Sequence, residues 1–197
     1  MNNREFHKIR DNVLARLESE LPPHLTYHDV KHTMEVVENV EFLAELNSLN
    51  NKDTILIKIA ALYHDSGFII SKDNHEENSC RLATKDLEQL QFPQDVIEFV
   101  CEMILATKIP QDANNISQQI IADADLFYLG TDKYNHYAKK LFNELKHFKP
   151  EITQLEWLKI QIEFMEQHRF YTQYGQTELA PVKMNHLKRL KVTRDSL

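Results

Sequence analysis

Three histidines and three aspartates are spaced so that they could do chemistry together. The stretch "LTYHDVKHT" sets His28 and His32 four residues apart, "AALYHDSGF" ends an apolar run in His64-Asp65, and "IIADADLFYLG" carries Asp123 and Asp125. Imidazole nitrogens and carboxylate oxygens bind first-row divalent cations and exchange protons near neutral pH. Each fragment alone also has a plainer reading. Four-apart histidines occur on many helix surfaces, a His–Asp pair can simply hold a helix end, and one aspartate in an apolar helix is as readily structural as functional. The His64-Asp65 pair says most, because Ile55, Leu56, Ile57, Ile59 and Leu62 precede it. A carboxylate and an imidazole there are costly to bury unless they pair or coordinate a cation. On a helical wheel of about 100° per residue, Asp125 falls in the apolar stripe between Ile121 and Leu129, and Asp123 falls toward Gln119. Asp125 is therefore the better ligand candidate, and Asp123 reads as a hydrogen-bonding neighbour.

The elements that must position these residues read as helices nearly throughout. Phe6, Ile9, Val13, Leu17 and Leu21 recur at three- and four-residue steps until Pro22-Pro23,. Thr26 with Asp29 reads as a capping box opening a helix over about 27–46. That would put His28 and His32 one turn apart on one face. Asp53 reads as the cap of "TILIKIAALYH", which ends near Gly67. Further helices follow over about 75–90, 94–107, 118–129, 132–147, 154–167 and 178–191. Gly130 is read as a C-terminal glycine stop, and Thr153 with Glu156 as a second capping box. No alternating strand, internal repeat or long linker is present. The expectation is an all-α fold: one bundle of about eight helices over 1–197, with its motif-bearing core at about 25–145 and C-terminal helices at 153–191 packed on it.

Composition narrows the chemistry. The 197 residues carry a net charge of −7 and a 27% charged share, which reads as a globular chain without the basic footprint that a nucleic-acid polymer needs,. Two cysteines far apart read as free thiols in a reducing compartment,. The polar N-terminus does not read as a signal peptide, and no apolar run is long enough for a membrane span. A cytoplasmic location with no membrane partner is expected. Three glycines leave no phosphate-cradling glycine loop and no GxGxxG turn,. Any chemistry must come from side chains, with or without a metal.

In order and spacing, "YHDVKH", "AALYHD" and "DADLFYLG" resemble the signature of the HD-domain superfamily of metal-dependent phosphohydrolases. "DNHEENSCRLATKDL" and "ILATK" extend the resemblance to an uncharacterised bacterial branch, over roughly residues 25–145. The resemblance implies His32, His64, Asp65 and Asp125 as ligands of one divalent metal ion (Mn, Fe, Co, Ni, Zn or Mg). It implies His28, four residues before the first ligand, as a general acid. In dinuclear branches two more histidines hold a second metal. His75 matches the first, but Ala106-Thr107 stands where the second is expected, which favours a single metal. His75 is then a substrate or proton-transfer candidate. Where the branch carries an arginine after "DADL", this chain has Phe142.

The chemistry so implied is hydrolysis of a phosphomonoester or phosphodiester, with a nucleotide as the expected small-molecule substrate. The metal would activate water and polarise a phosphoryl oxygen. Asp65 would ligate it and orient the water, and protonated His28 would give a proton to the leaving alkoxide. Glu76 is a further catalytic candidate, although acids at a helix start also complement its dipole. Lys31, Lys108 and Lys133 are candidates to meet the phosphate charge, Lys108 foremost because it closes "ATK". Dimers are common among such relatives, so a homodimer is compatible with the resemblance. Three rival readings stand beside this one: a non-catalytic nucleotide- or metal-binding regulatory module, a purely structural helical protein, and a di-iron oxidase.

Overall fold

The computed structural model of the chain describes residues 3–196, and every regular element among them is helical. The α-helices are α1 (Asn3–Glu20), α2 (Val30–Leu46), α3 (Asn51–Tyr63), α4 (His75–Gln89), α5 (Gln94–Leu105), α6 (Ile116–Asp125), α7 (Tyr134–Phe148), α8 (Gln154–Gln167) and α9 (Ala180–Asp195). Short 3₁₀ turns follow α3 at Ser66–Ile69 and α6 at Phe127–Gly130, and a π-helical turn, Gly175–Leu179, leads into α9. Among the described residues, no helix is long and apolar enough to cross a membrane.

The core is organised around α3. Ile57, Ile59, Ala60, Ala61 and Leu62 have no exposed surface, because α1, α2, α4, α5 and α6 pack around them. A helix apolar on all sides can only be a central one. Arg16 of α1 makes a two-pronged ion pair with Asp86 of α4, at 2.7 and 3.1 Å, and the Tyr63 hydroxyl donates to the same carboxylate at 2.9 Å. A second apolar cluster, including Leu129, Leu158, Met165, Phe170 and Leu187, gathers the 3₁₀ turn after α6 with α7, α8 and α9. Phe127 and Tyr174 pack against both clusters.

Several local expectations are corrected by the caps. Thr26 does not open α2. Its hydroxyl donates to the Lys140 carbonyl of α7 at 2.7 Å, and Asp29 is the N-cap, accepting the His32 amide at 2.8 Å. His28 therefore precedes the helix and does not share a helical face with His32. Asn50 rather than Asp53 caps α3, and α3 stops at Tyr63. Gly130 does not adopt a positive φ. It is required for close approach instead, since a Cβ there would lie 2.4 Å from the Leu179 Cβ. The Thr153–Glu156 capping box forms as read, and Cys80 and Cys101 are free thiols.

Gly67 is the tightest of these contacts. A Cβ would meet the His75 carbonyl oxygen at 1.9 Å and the Ser79 nitrogen at 2.7 Å, both backbone atoms. The Gly67 amide donates to Ser79 Oγ, which itself donates to the His64 carbonyl. The turn carrying His64 and Asp65 is thus seated on α4 with no room for a side chain. Gly67→Ala is expected to destabilise the fold by about 1–3 kcal/mol or more, read as a lower denaturant midpoint at unchanged m. An unaltered midpoint would show that the two segments are not held this closely.

Candidate metal centre

Helix ends deliver the four ligand candidates. His32 lies in the first turn of α2, Asp125 is the last residue of α6, and His64-Asp65 form the turn that leaves α3. His64 Nδ1 lies 2.8 Å from the Ala61 carbonyl and donates to it, which leaves Nε2 unprotonated in the neutral ring and aimed at the cluster,. The His32 and His64 Nε2 atoms face each other at 3.3 Å. Asp125 Oδ1 lies 3.2 Å from His32 Nε2 and 3.5 Å from His64 Nε2. Asp65 Oδ2 lies 3.4 Å and 3.0 Å from the same two nitrogens.

The residues present suit a divalent cation. One ligand atom each from His32, His64 and Asp125 falls within 4.8 Å of the others. Asp65 Oδ2 is buried and faces the two imidazole nitrogens alone, so its charge is costly there unless a protonated ring or a cation lies beside it,. Two imidazole nitrogens with two carboxylate oxygens form a mixed set that fits Mn, Fe, Co, Ni or Zn better than Ca. The Nδ1–H···O=C bond of His64 is the kind of outer contact that fixes a ligating ring.

Electrostatics without the cation are those of a tight ion cluster. Burial disfavours a charged His32, but Asp125 and Asp65 outweigh it and hold the ring up at about 8. His64 is pushed well above the ordinary imidazole value against the same burial cost, chiefly by Asp65. Burial would raise both carboxyls, yet the histidines pull Asp65 well below its usual range and Asp125 down to about 2.

His28 and Glu144 make a second unit beside the cluster. Glu144 of α7 is buried, and its Oε2 accepts the backbone amides of Tyr27 and His28 at 2.9 and 3.2 Å. Its Oε1 lies 2.5 Å from His28 Nδ1. Burial alone would raise this carboxyl, but the His28 bond holds it below its ordinary value. The His28 ring stacks on Phe68, which stacks on His75, with centroids 4.3 and 4.2 Å apart. His75 Nε2 is 3.6 Å from Asp65 Oδ1 and 3.5 Å from Glu76 Oε1. Glu76 is buried, whereas Glu77 pairs with Lys108 at the surface.

His28, Asp65, His75, Glu76 and Asp125 all open on one cavity of about 240 Å³. The three lysines singled out by sequence do not reach it. Lys31 is exposed beside a groove against α1, and Lys133 lies 3.6 Å from Glu35, largely in solvent. Among the described residues, no lysine or arginine lines the cavity. Asp123, on the Gln119 side of α6, is wholly buried and hydrogen-bonded. It accepts the Tyr171 and Thr172 amides, each at 2.8 Å, and the Thr172 hydroxyl at 2.7 Å. Glu144 was missed. Its available signal was its placement three residues after Leu141 and seven after Tyr137, on the inward face of α7.

The HD domain family matches residues 29–128, half of the chain, and the chain belongs to that family. No curated protein and no solved structure matches it.

A cation entering this centre must displace protons from the raised imidazoles. Their ion pairs stabilise the metal-free fold fully below the unfolded value of ~6.5. For His32 that contribution is lost as pH rises through about 8. The melting temperature of the metal-free chain is therefore expected to fall across this window. Mn²⁺ affinity is expected to rise across it, by roughly tenfold per pH unit for each proton displaced. Calorimetric titration in buffers of different ionisation heat would count the protons, and a pH-independent affinity would contradict a protonated pair.

Proposed function

We propose that the chain is a metal-dependent phosphohydrolase of small phosphate esters, mono- or diesters. The observation that carries this reading is that the four ligand candidates form one cluster, whose two carboxylates open on the same cavity as a carboxylate-buttressed histidine. His32, His64, Asp65 and Asp125 would hold the cation. When bound, such an ion supplies Lewis acidity, activating water and drawing charge from phosphoryl oxygens.

The chain's own residues would do the rest. Asp65 Oδ1, on the cavity side and within reach of His75, is placed to orient the attacking water. Glu144 fixes the His28 tautomer by taking the Nδ1–H bond, so Nε2 is the nitrogen available to protonate a leaving alkoxide. His75 is a candidate to hold a phosphoryl oxygen, and Glu76 to steady His75. Lys31, Lys108 and Lys133 are left without a role at this cavity. A nucleotide, the substrate expected from the resemblance, suits it best with a single phosphate, because no basic side chain lines the wall to meet further charge. A catalytic reading is favoured over a binding module by the His28–Glu144 pair, which a passive site would not need.

Phosphate release and alcohol product should both be measured on metal-stripped protein with Mn²⁺, Co²⁺, Ni²⁺, Zn²⁺ or Mg²⁺ restored. Metal-dependent turnover that is lost in Asp65→Ala is expected, and an unchanged rate in that variant would sink the reading. His28→Gln is expected to slow an alkyl ester by about 10²-fold or more. It should slow a p-nitrophenyl ester far less, because that leaving group departs without a proton. Equal losses on both esters would remove His28 as the acid.

A further inference from the structure

Beyond the carboxylates the cavity changes character. It runs from there into the second apolar cluster, and its far wall is built from Leu129, Leu141, Trp157, Ile160, Phe164 and Met165. The polar side chains on that far wall are Tyr134 and Gln161. The Tyr134 hydroxyl donates to Gln161 Oε1 at 2.6 Å. The Gln161 amide nitrogen reaches only the Trp157 carbonyl, at 3.5 Å. Both groups are neutral, and together they leave one amide donor and one phenolic acceptor facing the cavity.

This division of polarity constrains what fits. The head end presents Asp65, Asp125 and Glu76, and its positive charge comes from histidines and a cation. A second or third phosphate would have to lie against hydrocarbon with no basic partner, and burying such a charge unpaired is prohibitive. A polar sugar would likewise exchange its water for leucine and phenylalanine. An apolar group gains by leaving water, in proportion to the area it covers.

We infer that the substrate is a single-phosphate ester of a predominantly apolar alcohol, aryl or medium-chain alkyl, with room for one neutral polar group at Tyr134 and Gln161. This rests on the phosphohydrolase reading for the head end. The apolar body would select the substrate, while the metal centre and His28 act on any phosphate placed there. Truncating the body is then felt in KM and in binding, and the chemical step is left to the leaving group.

Trp157 is the sole tryptophan of the chain and lines the cavity, so its emission reports occupancy directly. Non-hydrolysable phosphonates separate binding from turnover. Hexylphosphonate and benzylphosphonate should be titrated into the Mn²⁺-loaded chain beside methylphosphonate, AMP, ADP and ATP. Tryptophan emission and calorimetry would be read together. Hexyl- or benzylphosphonate is expected to bind at least about tenfold more tightly than methylphosphonate, since one hydrophobic group in a pocket discriminates by about 10–200-fold. They should also bind more tightly than any of the nucleotides and shift the Trp157 emission to the blue.

Ile160 is 40% exposed at the cavity edge, so Ile160→Lys is expected to fold. It should erase most of that preference and raise the relative affinity for ADP. Tighter binding of AMP, ADP or ATP than of the apolar phosphonates would overturn the inference, as would equal affinity for methyl- and hexylphosphonate. Apolar preference in binding without release of hexanol from either hexyl phosphate or dihexyl phosphate would overturn the hydrolase reading and leave the ligand class standing. Release with ATP preferred would do the reverse.

Discussion

Two imidazoles and two carboxylates meet within hydrogen-bonding distance at a place that water barely reaches. His64 and His32 are 1% and 3% exposed. Ions so placed keep their charge only by keeping each other, and losing one partner strands the rest. Much of the fold can be understood as the means of holding that cluster together. The Asn50 cap starts α3, which carries His64 to the centre. Asp29 caps α2 at the residue that sets the direction of His32, and Gly67 with Ser79 seats the turn of His64 and Asp65 on α4. Three of the four ligand candidates sit at or just beyond a helix end, where the chain can turn a side chain out of the helical lattice.

The second apolar cluster completes the site by supplying what the first lacks. Asp123, wholly buried, takes the backbone of residues 171–172 as its partners and ties the segment before α9 to α6. Gly175 makes room for that carboxylate, since a Cβ would lie 2.4 Å from its Oδ2. From the other side α7 reaches residues 26–28 through the Lys140 carbonyl and Glu144. Neighbouring aspartates on one helix thus have different tasks. Asp125 faces the candidate metal centre, and Asp123 holds residues 171–172 against α6. The cavity inherits ions at one end and the hydrocarbon of the second cluster at the other.

The helical pattern was legible because it is written locally. Apolar periodicity, the prolines and the Thr153–Glu156 box mark elements whose ends the structure reproduces to within a few residues. His64, Asp65 and Asp125 stood out for the same local reason, being polar residues in or beside an apolar run, whereas His32 entered as a ligand candidate only through the resemblance to the HD-domain signature. The caps at Thr26 and Gly130 were misread because each motif admits a second use. A threonine hydroxyl can bond to a distant carbonyl instead of its own helix, and a glycine can serve close approach instead of a positive φ. Asp123 makes the hydrogen bonds expected of it, but its full burial was not legible, because a helical wheel ranks faces by composition and its side of α6 is covered by a remote segment.

The sequence by itself determined the all-α class, the helix that must be central, and the types of side chain offered to a cation. Those follow from periodicity and from the cost of burying charge, which act along a single stretch of chain. Tertiary structure alone decided that Glu144 would buttress His28 across 116 residues. It also decided that the candidate lysines would stay at the surface, and that an apolar chamber would open beside the His–Asp cluster. Each is a contact between elements remote in sequence. A helix encodes which of its faces is apolar but not which helix will cover it, and only packing resolves that choice.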